Sequence, residues 1–542
     1  MSSSKLDGFK EVTTNEVEPM IINNILFSAY GRNPEVDERI REYLSKNFVK
    51  VDLVSSDRAL GMALVGFPGE GKTTVVKRAA QKAAEIMGLR FCFNPPNSDE
   101  ITEKDFVMTV IELSGEVSNS VITGLPITEK RFDGNVVATT YAPPDQILAC
   151  SRAGAAVVLL DDALNAPGNI QNICLSLMEE KRYRNIDLGR HAYVCLTGNL
   201  GSIDGTYATR MSTALLTRSA TLLVRDTVNN WINRSAEEFG PKPGADGLVK
   251  GFLEANLDMF HVPKPDKRVP YPCPREWTKF AKRSAPLTGY LVDLAMEGQL
   301  IPNEVMEKVM NEVSFLAYST VGQEAALKFM AYLRSYFSRS LTLAMSAFKS
   351  QDIKIDAEGK FSASLDQGVL KAIEKEYGEG LSASQQEFGV QYANALAEIA
   401  ALEVNKLVSG NKARTKGSKE PSRELIEVYG RFAHALLTPS FHEDIITKCM
   451  GHFVNKLSAY DRSEKREGEK RVVIPAMSSV TGAKHVGMNE EHLKAITLTF
   501  RVHPKALSRT SAGLSLYNSA IVSEVVGMMQ ELDDLLNVRK GR

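Results

Sequence analysis

A chain of 542 residues with 43% hydrophobic and 24% charged side chains has the composition of an ordinary globular protein, with room for roughly two to four domains. Its 65 basic and 66 acidic residues leave a formal net charge of −1. No bulk charge therefore draws it to nucleic acid or to a membrane surface. No apolar run approaches the ~18 residues of a membrane span, and Met1-Ser2-Ser3-Ser4-Lys5 has no apolar signal core.

Residues 1–60 read as a helical lead-in, with one helix opened by Asn33-Pro34-Glu35 and running to about Asn47. The next apolar run, Met62–Val65, has the look of a buried strand and leads into Gly66-Phe67-Pro68-Gly69-Glu70-Gly71-Lys72-Thr73. That stretch fits the phosphate-loop pattern G-x-x-x-x-G-K-[ST] at every specified position, and helical spacing from Thr73 to Ile86 follows it. The strand–loop–helix context turns backbone N–H groups inward and offers a helix start to anionic oxygens. Gly66, Pro68, Gly69, Glu70, Gly71, Lys72, Thr73 and Thr74 are the candidate ATP-binding residues. Lys72 would reach the terminal phosphates, and the Thr73 hydroxyl would face Mg²⁺.

Further apolar runs at Arg90–Phe93, Phe106–Leu113, Ala155–Leu160, Tyr193–Leu196 and Ala220–Val224 alternate with helical stretches. Such alternation predicts an α/β core over 61–225, a parallel sheet with helices on both faces. The run Val157–Leu160 ends in Asp161-Asp162, which places a carboxylate at the sheet edge where ligands of α/β sheets bind. Asp161 is the candidate metal partner of Thr73. Asp162 stands where a base, usually Glu, would orient an attacking water. Tyr193–Leu196 ends in Thr197-Gly198-Asn199, and Asn199 suits the positioning of that water.

The six cysteines are scattered without a C-x-x-C pair, and the eight histidines make no zinc-like spacing with them. They read as reduced core thiols of a cytoplasmic protein. The segments Ile122–Tyr141 and Glu180–Val194 read as a projecting loop and a β-hairpin. From 226 onward the chain is helical. The periodic stretches are Ala325–Phe348, Leu365–Tyr377, Ser384–Leu407, Arg423–Leu437, Glu443–Ala459 and Ser519–Val538. Loops are expected at Ser409–Ser422 and Asp461–Arg471. The basic loop from Lys406 to Arg423 has no interleaved aromatics and reads as a solvated linker.

Asp161-Asp162-Ala163-Leu164-Asn165-Ala166-Pro167, Gln171-Asn172 and Leu177-Met178-Glu179-Glu180 together resemble the MoxR group of AAA+ ATPases. Gly205-Thr206-Tyr207, Ala214-Leu215-Leu216-Thr217-Arg218 and Tyr271-Pro272-Cys273-Pro274-Arg275 extend that resemblance over about residues 40–340. It implies an AAA+ phosphate-loop NTPase core at 61–225, a helical lid at 226–335 and a long all-α C-terminal region at 336–542. It also implies ATP and Mg²⁺ as cofactors and Asn199 as the sensor asparagine. Arg218 would be an arginine finger acting on a neighbouring subunit, with Arg210 and Arg225 as nearby competitors, and Arg275 a second sensor in cis. The implied assembly is a homo-oligomeric ring, a hexamer. The implied partner is a protein client, with a von Willebrand A domain protein as one type.

Two departures stand out. Asp162 replaces the usual Glu and is one methylene shorter, so hydrolysis is expected to be slow. Ala208-Thr209-Arg210 replaces a Pro-containing stretch. The alternatives are a nucleotide-gated scaffold with weak turnover, on account of Asp162, and a nucleic-acid-stimulated motor, on account of the basic loop and hairpin.

Overall fold

The computed structural model describes residues 9–453 and the short pieces 472–473 and 487–488. Not described within that span are 48, 51–53, 55–58, 115–119, 132–135, 184–185, 207, 210, 233–244, 263–268, 297–300, 356–360, 379, 381, 411–421, 440, 443–444, 447–448 and 450–451. The final helix expected at 519–538, the loop at 461–471, much of the helix at 443–459 and most of the basic loop lie outside the described residues. The chain divides into two units. The first is Met1–Thr227 with Val262–Val269 and Cys273–Arg275; the second is Val228–His261, Pro270–Pro272 and Glu276–Arg542.

The first unit is built on seven strands: β1 (Lys10–Val12), β2 (Met62–Val65), β3 (Arg90–Phe93), β4 (Asp105–Glu112), β7 (Ala155–Asp161), β10 (Ala192–Gly198) and β11 (Ala220–Val224). They lie in the order β1-β11-β2-β10-β7-β4-β3, and every pairing is parallel. All six strands expected from the sequence are present. Their central members are buried throughout, which is why they read as continuous apolar runs.

Alternate side chains serve opposite faces. Met62, Leu64, Val157, Leu159, Tyr193 and Cys195 pack with apolar residues of α1 (Thr14–Ala29), α2 (Pro34–Lys46) and α3 (Lys72–Met87). Ala63, Val65, Val158, Leu160, Val194 and Leu196 pack with those of α4 (Asp145–Arg152), α5 (Gly168–Glu180) and α6 (Thr213–Arg218). The expected sheet with helices on both faces is what forms. Five of the six cysteines are buried and none is bridged. Burial pushes the Cys150, Cys174 and Cys195 thiols up to about 12, so they stay protonated.

The lead-in holds more structure than its sequence suggests. Asn33 caps α2 as expected, accepting the Glu35 N–H at 3.0 Å. Ahead of it, β1 extends the sheet along β11 and α1 covers it, with Val17, Ile21, Ile22, Ile25 and Leu26 buried. A proline at position 19 lies inside α1, where a local reading sees a break. Packing on the sheet holds the helix through it. Two antiparallel hairpins also project. β5 (Leu125–Arg131) pairs with β6 (Val136–Ala142) where a loop was expected, and β8 (Arg182–Tyr183) pairs with β9 (Ile186–Asp187).

The second unit is helical, with its buried apolar residues from Val228 to Phe453 in one cluster. Phe252, Trp277, Phe280, Phe329 and Tyr332 meet edge-on or tilted within it, Phe280 to Phe329 at 5.0 Å between centroids. The helix Ala383–Ser409 is buried on every side from 388 to 401 and forms the centre of this unit. The helix expected over 325–348 contains one π-helical turn, Tyr336–Ser340. A two-stranded hairpin, Asp352–Ile355 with Phe361–Ser364, is added to the helices. Among the described residues no helix is long and apolar enough to cross a membrane.

Candidate functional site

The site lies at the C-terminal ends of β2, β7 and β10, which are neighbours in the sheet. The phosphate loop leaves β2 with the Gly66 N–H donating to the Gly198 carbonyl at 3.2 Å. Gly71 caps α3 with φ +82°, a left-handed conformation that a side chain would strain. Gly69, at φ +88°, lies so close to Cys273 that a Cβ there would sit 2.7 Å from its sulfur. The Gly69 carbonyl accepts the Arg275 N–H at 3.2 Å, so the Cys273-Pro274-Arg275 segment rests directly on the loop.

Lys72 is only 7% exposed, and its Nζ donates to the carbonyls of Gly66 (2.8 Å) and Phe67 (2.9 Å) and to Asn199 Oδ1 (3.0 Å). These bonds use all three donors of the ammonium group. The Thr73 hydroxyl donates to Asp161 at 2.9 Å (Oδ1), and Asn199 Nδ2 donates to Asp162 Oδ1 at 3.2 Å. Lys72, Thr73, Asp161, Asp162 and Asn199 are thus brought together. Thr74 is exposed on the first turn of α3, Pro68 is half-buried and the Glu70 side chain is buried.

One member was noticed in the sequence only as a polar strand end. Thr197 is fully buried; its hydroxyl donates to Asp161 Oδ1 and accepts the Asp162 N–H at 3.0 Å. The parallel register Leu196↔Leu160 sets Thr197 beside Asp161. This one hydroxyl therefore orients the first carboxylate and fixes the backbone of the second. Thr197→Val is expected to lower nucleotide turnover at least about tenfold, and Thr197→Ser to restore it. The valine leaves the Asp162 N–H without the Thr197 acceptor and Asp161 with the Thr73 hydroxyl in place of two, at a cost of about 1–3 kcal/mol, readable as a drop in unfolding temperature.

The residues carrying the sequence resemblance are partly scaffolding. Gln171 Nε2 donates to the Ala166 carbonyl (3.1 Å) and to Thr209 Oγ1 (2.6 Å), and Thr209 donates to the Leu164 carbonyl (2.9 Å). They hold the turn after the paired acids. Asp204 accepts the N–H groups of Leu200 (2.5 Å) and Thr206 (3.0 Å), shaping the loop after Asn199.

The arginines divide. Burial lowers the Lys72 pKa to about 8, opposed by the charges of Asp162, Glu70 and Asp204 and aided by Arg275. Burial, then the neighbouring Asp161 charge, raises the Asp162 pKa, while Lys72 and Arg275 hold it down. Arg275 therefore acts electrostatically on both groups. Arg218 ends α6 half exposed and pairs with Glu179 of α5 at 3.3 Å; among the described contacts nothing joins it to the Lys72–Asp162 network. Arg225 is exposed, paired with Glu11 at 3.6 Å on the edge strand. Arg210 and Tyr207 lie outside the described residues.

The position of Lys72 gives a pH signature. A bound polyphosphate would favour the charged ammonium and draw its pKa back up from about 8. Nucleotide affinity is expected to be fully present below about pH 8 and to fall as pH rises above it, with proton uptake on binding. Calorimetry in buffers of different ionisation enthalpy reads that uptake.

No protein-family model matches this sequence, and no curated protein matches it. Among solved structures the chain is similar to one titled as a mutant of RuvB from Thermotoga maritima, at 15% sequence identity and a TM-score of 0.21, covering 67% of this chain and 89% of that chain. So slight a likeness carries no weight, and the site stands on its own geometry. What fold and site define is a parallel α/β unit with a phosphate loop facing paired acids across adjacent strand ends.

Proposed function

We propose that this chain is an AAA+ ATPase of the MoxR-like kind. It binds ATP at residues 66–74 and hydrolyses it in a homo-oligomeric ring, a hexamer, to remodel or activate a partner protein. The observation that carries the reading is the continuous network from Lys72 through Asn199 to Asp162, and from Thr73 through Asp161 to Thr197. It places a cation, a hydroxyl–carboxylate pair and a half-buried carboxylate at one sheet edge, as phosphoryl transfer to water requires.

The donor set fits a divalent cation. Thr73 and Asp161 would hold Mg²⁺, which supplies positive charge at the β- and γ-phosphate oxygens. The chain's own groups do the rest. Lys72 exchanges its bonds to Gly66 and Phe67 for phosphate oxygens. Asn199 and Asp162 orient the attacking water, and the raised Asp162 pKa makes that carboxylate a better proton acceptor. Arg275 adds positive charge from the same subunit. Arg218, outside the network and half exposed, suits a role on the site of the next subunit. The partner protein follows from the resemblance; a von Willebrand A domain protein is the type to try first.

A second reading, a nucleotide-gated scaffold with weak turnover, is favoured by Asp162 alone: its reach is short, and Asn199 already holds its Oδ1. Steady-state ATPase assays with native mass measurement separate the two. The ATPase reading expects a ring in the presence of ATP and turnover that falls at least about a hundredfold in Arg218→Ala. Mixing Arg218→Ala with Lys72→Ala subunits is expected to restore part of that turnover. A monomer under all conditions defeats the ring, and nucleotide binding without turnover leaves the scaffold. DNA or RNA that stimulates turnover, with salt-dependent binding, would move the reading to a nucleic-acid motor.

A further inference from the structure

The phosphate loop carries a group that an anion cradle does not need. Glu70 is 1% exposed, and its Oε2 accepts the backbone N–H of Asp226 at 2.8 Å. Its negative charge is felt by Lys72, so it also opposes incoming phosphate. Asp226, itself buried, is held from the other side, its Oδ1 accepting the Thr14 hydroxyl at 3.2 Å. Thr14 opens α1, and α1 is tied to the helix that the loop feeds, with Glu18 accepting hydrogen bonds from Arg78 and Lys82 of α3. Two residues beyond Asp226, at Val228, the chain passes into the helical unit.

Glu70 lies between Gly69 at φ +88° and Gly71 at φ +82°. Neither flanking residue carries a Cβ to restrict its backbone, and of the two the Gly69 carbonyl is held by the Arg275 N–H. Phosphate drawing those N–H groups inward would turn the Glu70 backbone and move its carboxylate. Asp226 would receive that movement through its N–H bond to Glu70 (2.8 Å), with the Thr14 hydroxyl on its other side.

Taking residues 66–74 as a nucleotide cradle, on which this rests, we propose that Glu70 is a positioning residue that reports the phosphate state of the loop to Asp226, where the chain leaves the first unit. Hydrogen exchange of the full-length chain at amides 226–231 tests it, without nucleotide, with ADP and with a non-hydrolysable ATP analogue, both with Mg²⁺. The parent is expected to show at least a roughly tenfold difference in protection of the Asp226 amide between the ADP and triphosphate states. Glu70→Ala is expected to lose that difference, compared at nucleotide concentrations that saturate each protein as read by titration with a fluorescent analogue. Glu70→Gln keeps an acceptor for the N–H without the charge. It is expected to keep the difference and to bind triphosphate several-fold tighter.

A merely structural Glu70 would change protection equally in all states. The same nucleotide-dependent difference in Glu70→Ala would overturn the relay and leave the nucleotide site standing. If Glu70→Ala does not fold, Glu70→Met, which keeps the length of the side chain but offers no oxygen to the Asp226 N–H, takes its place: loss of the difference supports the relay and its survival overturns it. A parent that binds no nucleotide overturns both.

Discussion

Lys72→Ala is expected to abolish nucleotide binding, with a loss of at least about a hundredfold in affinity. The Lys72 ammonium is buried and held by Gly66, Phe67 and Asn199 through its three donors, so it is pre-aimed at the place where terminal phosphates would lie. A hydrogen bond to a charged group contributes about 1.5–3 kcal/mol, and two such bonds to phosphate account for a hundredfold or more. Lys72→Arg is expected to fail as well. Its planar fork is larger than the buried ammonium and cannot satisfy the same two carbonyls and amide. Titration with a fluorescent ATP analogue gives the affinity. Thermal unfolding gives an independent reading: at a ligand concentration of about 100 times the parent's Kd the parent gains about 2.7 kcal/mol, and the variant no more than about 0.4 kcal/mol. A variant that binds ATP like the parent would remove the phosphate loop from the function.

Asp162→Asn is expected to lower kcat by about 10²–10⁴ while ATP affinity holds or rises. The carboxylate is half-buried beside Asp161, with a raised pKa and one oxygen on Asn199. An amide cannot accept the water's proton, and general-base contributions lie in that range. Removing a negative charge near the phosphates favours their binding. Asp162 also adopts φ +52°, a left-handed backbone that Asp tolerates better than most residues, which re-aims the short side chain. Asp162→Glu then tests reach directly. If the missing methylene limits the reaction, single-turnover rates rise in that variant. Unchanged turnover in Asp162→Asn would place the water-orienting role elsewhere.

Much of the core was legible because its physics is local. A strand covered on both faces must be apolar along its length, so Met62–Val65 and Val157–Leu160 announce themselves. A loop that turns N–H groups inward needs glycine at fixed spacing. Other parts were not legible. β1 is three residues long with only Val12 buried, too little to register as a pattern, and it becomes a strand because β11 offers a free edge. The Pro19 helix survives on packing that lies elsewhere in the chain. Gln171 looks like a motif residue, yet its hydrogen bonds brace a turn, one of them to Thr209 in the stretch where the sequence departs from the family pattern.

By itself the sequence determined the presence of a phosphate-loop pattern, the acids that could face it and the alternation that makes a parallel sheet, since each depends on residues close along the chain. Only the tertiary structure decided which groups meet. The sheet order sets β10 between β2 and β7, and its register puts Thr197 on Asp161 and Asn199 between Lys72 and Asp162. Glu70 and Asp226 lie 156 positions apart, and their bond exists because β11 ends alongside the loop that leaves β2. A hydrogen bond is decided by distances of a few tenths of an ångström, and only the packed sheet sets those between segments so far apart in the chain.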